Sequence, residues 1–468
     1  MNSRTRILFF MLKRLTIRQL ILLSTALFLM AFLVFGIGYR TDRTAFLTFF
    51  LQYVSLFILF YMVWLNQWNF NFYFFLLLAL GLRLVLLGAI PELSNDFYRF
   101  IWDGELITQG KNPFAQKPEE IISNYAVYGS DYKRMLYLGM GSLSQEHYSC
   151  YPVLNQVLFA IPAFFSETIM GNIFGLRIIV ILADLGAIYF AKKIANHFNL
   201  SIHAIWLYFL NPFVILEFTG NLHFEGVMVF FLLAAIYFIL KFNWILAGVF
   251  FALAIHIKLI PLMLLPFVLK KLKWRFSIGF LAVVTLVLMV VGGMMLNVQY
   301  LANMLDSVNE YFVRFQFNAS VFYIIREIGF ATVGWDPIQF VGPILSLLAG
   351  TGILILAAFK AYHNDLDMVK GMLFGLMIYY FLATTVHPWY VGTVLALSMF
   401  TQYKFALVWS LVVMLSYSGY MNPTMVVEKP YLLIAEYLVV IMIMFYEIRK
   451  HTDKKNFGLQ LKSFFGSL

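Results

Sequence analysis

The chain has 468 residues, of which 62% are hydrophobic and 12% charged, with a net charge of +10 and a single cysteine, Cys150. Apolar runs of about 20 residues recur to the C-terminal end, so the sequence reads as a polytopic helical membrane protein rather than a soluble one. The runs are continuous rather than alternating, which excludes a β-barrel, and one cysteine excludes an internal disulfide framework.

The basic excess does not signal nucleic acid. Arg4, Arg6, Lys13, Arg14 and Arg18 precede the first apolar run, and Arg449, Lys450, Lys454, Lys455 and Lys462 follow the last. That is the positive-inside pattern of a multi-pass plasma-membrane protein with both termini in the cytoplasm. The first run, Leu20 to Gly38, is long and no small-residue cleavage site follows it, so a span is expected rather than a cleaved leader.

The second span is expected near Ala45–Leu65 and the third near Phe72–Ile90, delivering the chain to the outside. Residues 91–150 then form an extracytoplasmic loop. Its later, tyrosine-rich part (Tyr125, Tyr128, Tyr132, Tyr137, Tyr148) is expected to fold back over the membrane face. Further segments are Val153–Ser166, Ile173–Ala191, His203–Phe218, Phe224–Leu240, Trp244–Leu269 and Phe276–Leu296. If all of them cross, Lys192, Lys193 and Lys241 lie outside, against the positive-inside rule. If Val153–Ser166 and Trp244–Leu269 are re-entrant, those lysines return inside, and the parity is the same. A second external loop, 298–335, precedes segments at Ile338–Lys360, Val369–Val386, Val391–Thr401, Phe405–Tyr420 and Tyr431–Tyr446. The fold class is therefore all-α, one integral membrane domain of about 14 hydrophobic helices, with short juxtamembrane helices in an external loop.

Directly after the third span comes Ser94-Asn95-Asp96-Phe97-Tyr98-Arg99-Phe100-Ile101-Trp102-Asp103-Gly104, closing with Gly110-Lys111-Asn112-Pro113-Phe114. Asp96, Arg99 and Asp103 share one helical face over about two turns. Gly110 and Pro113 predict the stop. Charges inside predicted spans cost a few kcal/mol each and need a reason; they include Arg83, Arg177, Asp184, Glu217, Glu225, His256, Lys258 and Glu436. In His256-Ile257-Lys258-Leu259-Ile260-Pro261 the proline breaks a helix beside a buried cation, a setting that suits an anion such as a lipid phosphate. Polar clusters at Asn211-Pro212, at Thr219 to Glu225 and at His387-Pro388-Trp389-Tyr390 mark span ends. Each also has a bland reading: a capped turn, an interface belt or a snorkelling lysine.

In this order the motifs resemble the glycosyltransferase C (GT-C) superfamily. They are most similar to the bacterial polyprenol-phosphate-mannose-dependent mannosyltransferases. The matches are the Asn95–Gly104 and Gly110–Phe114 stretches, Tyr151-Pro152 with Asn155-Gln156, Asn211-Pro212 with Glu217, Lys258 to Pro261, and His387 to Tyr390. The resemblance implies a core of seven spans beginning at Phe72, which favours full crossings, with 20–65 as added spans, 72–297 as the catalytic core and 298–468 as C-terminal spans. The stretch Asn221 to Glu225 departs from the acidic cluster of relatives, which puts a role for Glu225 in doubt.

The resemblance further implies transfer of a sugar from a polyprenyl-phosphate donor to a hydroxyl of a glycan or glycolipid at the extracytoplasmic face, with membrane lipids as partners. Mannose is what the nearest relatives suggest. Asp96 is the expected general base, with Asp103 second. Arg99, Lys258 and His387 are expected to meet the leaving phosphate, and Trp389, Tyr390 and Trp102 to offer flat faces to a sugar or prenyl chain. Asn112, Tyr151, Glu217, His223 and His256 are secondary candidates. A divalent cation, held by Asp96 and Asp103 if by anything, stays open as cofactor. Two rival readings share the same cavity: a flippase of lipid-linked sugars, and a polymerase or ligase using a pyrophosphate carrier.

Overall fold

The computed structural model describes residues 16–67, 70–124, 131–422 and 425–465, with side chains described as far as Thr452. Arg4, Arg6, Lys13, Arg14, Tyr125, Tyr128 and the side chains of Lys454, Lys455 and Lys462 lie outside the described residues. The described chain is helical throughout, apart from an isolated bridge between Phe317 and Thr385.

Three helices open the fold: α1 (Ile17–Arg40), α2 (Phe46–Leu65) and α3 (Phe72–Val85). Thr16 starts α1 with a capping box, its Oγ1 accepting from the Gln19 N–H at 3.3 Å while Gln19 Oε1 accepts from the Thr16 N–H at 2.9 Å. A cap follows, made of α4 (Asp96–Thr108), α5 (Pro118–Asn124), α6 (Asp131–Gly139), α7 (Gly141–Gln145) and α8 (Val153–Ala163). The long α9 (Ile169–His197) returns through the bundle. A bent pair comes next, Ile202–Phe209 and Pro212–Gly220, turning by 48° and containing α10 (Trp206–Phe209) and α11 (Pro212–Val214). Then come α12 (Glu225–Leu240), α13 (Trp244–Ile257), α14 (Leu265–Lys271) and α15 (Trp274–Gly292). The second external segment is not an open loop: it holds α16 (Val298–Val313) and α17 (Val321–Thr332). The chain ends with α18 (Ile338–Phe359), α19 (Leu366–Leu382), α20 (Val391–Ser398), α21 (Phe405–Val412) and α22 (Pro430–Phe465). Among the described residues six helices are long and apolar enough to cross a membrane, or seven with the bent pair.

Contacts at the two ends of the bundle orient the helices of the N-terminal two thirds of the chain. At the cap end, the Tyr39 hydroxyl donates to Val85 O (2.9 Å) and Arg177 Nη1 to Leu87 O (2.9 Å), so the ends of α1 and α3 meet the start of α9. At the base end, Lys192 stands 4.2 Å from the centre of the Phe72 ring, and Trp64 Nε1 donates to His203 O at 3.2 Å. The segment Val153–Ala163 therefore does not cross: α9, which follows it, starts again at the cap end. Trp244–Lys271 is a hairpin. It leaves the base end after α12, turns at Lys258 against Glu225, and returns to the base, where Lys271 and His197 share Asp365. Lys192 and Lys241 thus lie at the base, together with Ile17 and with Glu447 of α22, which accepts from the Lys404 N–H.

Buried charges hold this frame. Arg83 pairs with Asp184 at 2.7 Å and donates to Phe209 O at 2.8 Å, beside the bend. Asp184 thus pairs across helices rather than with Arg177. The Arg177 guanidinium clamps Thr219 O and Gly220 O as well as Leu87 O, at 2.8 to 2.9 Å. Pro212 cannot donate to Tyr208 O, and the Asn211 N–H takes that carbonyl at 3.0 Å. Each break in the ladder is thereby satisfied inside the protein, which an apolar solvent demands.

Candidate active site

The site is built on α4. The helix stops in a Schellman motif: Lys111 N–H donates to Leu106 O (2.8 Å) and Gly110 N–H to Ile107 O (2.9 Å), with Gly110 at φ 71°. Midway, Gly104 lets α4 sit directly on α8, since a Cβ there would lie 2.4 Å from Phe159 O. Phe100 stacks on Phe159 at 4.5 Å in the same contact. Asp103 is fully buried and spends its oxygens on Arg99 Nε (2.7 Å), Ser149 Oγ (2.5 Å) and Gln156 Nε2 (3.0 Å). Arg99 Nη1 in turn donates to Ser144 O and His147 O, tying the loop after α7 over the helix. The first residue of α4, Asp96, is left at the wall of a cavity of about 300 Å³.

That cavity gathers residues from across the chain: Asp96, Arg99, Tyr151, His223, Glu225, Lys258, Tyr311, His387, Trp389 and Tyr390 all line it. Lys258 arrives through the break the sequence predicts. Pro261 cannot donate to Ile257 O, and Asn155 Nδ2 caps that carbonyl at 2.5 Å. The ammonium pairs with Glu225, at the start of α12, and stands 4.6 Å from the centre of the Tyr390 ring. On the facing wall, rings stack in series: His223 on Trp389 at 3.6 Å, Trp389 on His387 at 4.4 Å, and His387 on Phe317 at 5.3 Å. Leu222, next to His223, holds φ 62°, a left-handed backbone costly for leucine, in a fully buried turn.

Asp96 touches the cavity but is walled by protein, and its carboxylate makes no hydrogen bond among the described residues. Burial raises its pKa to about 6, with Lys258 pulling it down and Glu225 pushing it up. His387 is driven the other way, to about 3, by burial and then by Lys258. Its buried Nδ1 has no hydrogen-bond partner.

Five expected site residues lie off the cavity wall. Asp103 belongs to the Arg99 cluster. Trp102 is buried against Tyr137 at 6.4 Å. Asn112 ties the loop to Met295 O at 2.6 Å. His256 Nε2 lies 3.3 Å from Leu288 O. Glu217 sits deeper than the cavity, taking the Tyr417 hydroxyl at 2.8 Å, with His223 Nε2 at 3.5 Å. Among the described residues no group of three or more His, Cys, Asp or Glu is placed to hold a metal ion. Sequence reasoning missed Tyr311 on α16 and doubted Glu225. The signal for Glu225 was its place at a helix start directly after Asn221-Leu222-His223; Tyr311 lies in a segment read as a loop.

No curated protein matches the chain. Residues 45–275, which run from α2 to the start of α15 and carry Asp96, Arg99, Glu225 and Lys258, match the model of the MptA_B family, described as alpha-(1->6)-mannopyranosyltransferase, N-terminal domain. With its all-helical membrane architecture, this chain is a GT-C-like mannosyltransferase, similar over residues 45–275 to the N-terminal domain of that family.

Proposed function

We propose that the protein transfers mannose from a polyprenyl-phosphate carrier to a hydroxyl of a glycan or glycolipid, in one inverting displacement at the extracytoplasmic face. Asp96 is the general base. It takes the proton of the acceptor hydroxyl as that oxygen bonds to the anomeric carbon; the carbon–oxygen bond to the carrier phosphate breaks, and the phosphate leaves with the electron pair. Lys258 and Arg99 stabilise that departing charge. The stacked faces of Trp389 and His223 offer a platform for the sugar ring. The observation that carries this reading is a single one: a carboxylate without hydrogen bonds, poised at about 6, shares one cavity with a lysine set at a helix break. A base of that pKa is largely ionised at neutral pH yet still basic enough to accept a proton.

The basic residues support the outward orientation of the cavity. Arg18, Lys192, Lys193, Lys241, Lys270 and Lys271 gather at the base end, as expected of a cytoplasmic face. The test supplies labelled polyprenyl-phosphate mannose to membranes holding the wild-type protein or Asp96→Asn. Product from wild type and none from the variant is expected; wild-type turnover by the variant removes the base assignment.

A further inference from the structure

One cation on the cavity wall comes from outside the stretch that matches the family model. Arg43 sits in the turn between α1 and α2, ahead of residue 45, and lines the same cavity as Asp96. The turn is rigid. Asp42 Oδ1 accepts from the Thr44 N–H (2.7 Å) and hydroxyl (2.6 Å), and Ala45 N–H closes on Asp42 O (3.0 Å). Thr41 Oγ1 anchors the other side on Gly36 O at 3.0 Å. One oxygen of the carboxylate beside Arg43 is therefore already engaged.

The other two basic side chains on this wall each have a carboxylate partner: Arg99 has Asp103 and Lys258 has Glu225. Arg43 has none among the described residues. Its guanidinium lies 5.2 Å from the centre of the Tyr420 ring, a contact that orients the planar group and leaves its N–H edge unspent. Its charge acts on Asp42, Glu92 and Tyr420, whereas the charge of Lys258 acts on Asp96, His223 and His387.

Resting on the mannosyl-transfer reading above, we propose that Arg43 is a second oxyanion-binding residue of this cavity, receiving a phosphate group of a lipid-borne substrate. Fork-shaped guanidinium recognition suits a phosphate better than a sugar hydroxyl. The phosphate has two sources, the prenyl carrier or an anionic glycolipid acceptor, and the added N-terminal hairpin then contributes directly to substrate selection.

The test uses the full chain in detergent, with Arg43→Ala, Arg43→Gln and Arg43→Lys. Equilibrium binding is measured for farnesyl phosphate and for neutral farnesol. KM is measured for a mannosylated phospholipid and for octyl mannoside. If the carrier is the source, Arg43→Ala weakens farnesyl phosphate roughly tenfold and leaves farnesol alone. If the acceptor is the source, farnesyl phosphate is unchanged and KM rises for the phospholipid only. Either result supports the site, and partial recovery in Arg43→Lys marks the charge. Unchanged binding and unchanged KM in both Arg43→Ala and Arg43→Gln overturn it. Farnesyl phosphate binding is read without turnover, so its outcome is separate from that of Asp96→Asn.

Discussion

Asp96 and Asp103 stand on one helix with only Arg99 as a charge between them, yet their surroundings are opposite. Around Asp103 both carboxylate oxygens are engaged: Arg99, Ser149 and Gln156 close on them, and the loop after α7 is tied in through Arg99. On the wall that Asp96 shares, polar groups are left over: its own carboxylate makes no hydrogen bond among the described residues, the buried His387 Nδ1 has no partner, and the lysine is still partly exposed. A saturated cluster holds shape, and an unsaturated one has valence left for a substrate. On the proposed mechanism the first carboxylate serves chemistry and the second positioning.

Exchanging each acid for its amide breaks that comparison most directly. Asp96→Asn is expected to lower turnover about 100- to 10,000-fold with no loss of thermal stability, since no hydrogen bond is removed. Asp103→Asn is expected to do the reverse in kind. It leaves Arg99 without a counter-charge in a buried site and costs about 3–5 kcal/mol of stability, read by thermal unfolding in detergent. Activity loss in Asp103→Asn with an unchanged melting temperature would contradict its assignment.

A smaller effect tests how α4 is seated. Gly104→Ala drives a methyl into Phe159 O and is expected to cost about 1–3 kcal/mol, with turnover falling as Asp96 is displaced. The smallest effect sharpens the electrostatics. The active base is the ionised form, so kcat/KM should fall below a midpoint near pH 6 and level off above it. Lys258 lowers that midpoint and Glu225 raises it. Lys258→Met should therefore move the acid limb to higher pH, and Glu225→Gln to lower pH, measured on whatever turnover each variant retains.

Much of this was legible in the chain itself. The helix at Asp96, its stop at Gly110 and the break at Lys258 follow from spacing and from the chemistry of glycine and proline, and all appear at the expected residues. The gathering of Asp96, Lys258 and His387 into one cavity was signalled only by the order of the motifs. What spacing could not do was separate Asp96 from Asp103, because the groups that saturate Asp103 lie 46 and 53 residues further on. The same limit hid Arg83 as the partner of Asp184, 101 residues away. Periodicity reports which face a residue shares; it does not report who waits on the other side. Length alone also left 244–269 open between a full span and a re-entrant segment, and the family resemblance favoured the span; a buried proline and an asparagine donor fold it into a hairpin.

That hairpin has an architectural corollary. The hairpin begins and ends on one side of the bundle, so it delivers a cation to the cavity without inverting the path of anything downstream. The ammonium group is thus carried at the tip of a hairpin whose first leg is packed between α12 and α15, so the neighbouring helices fix where the charge stands.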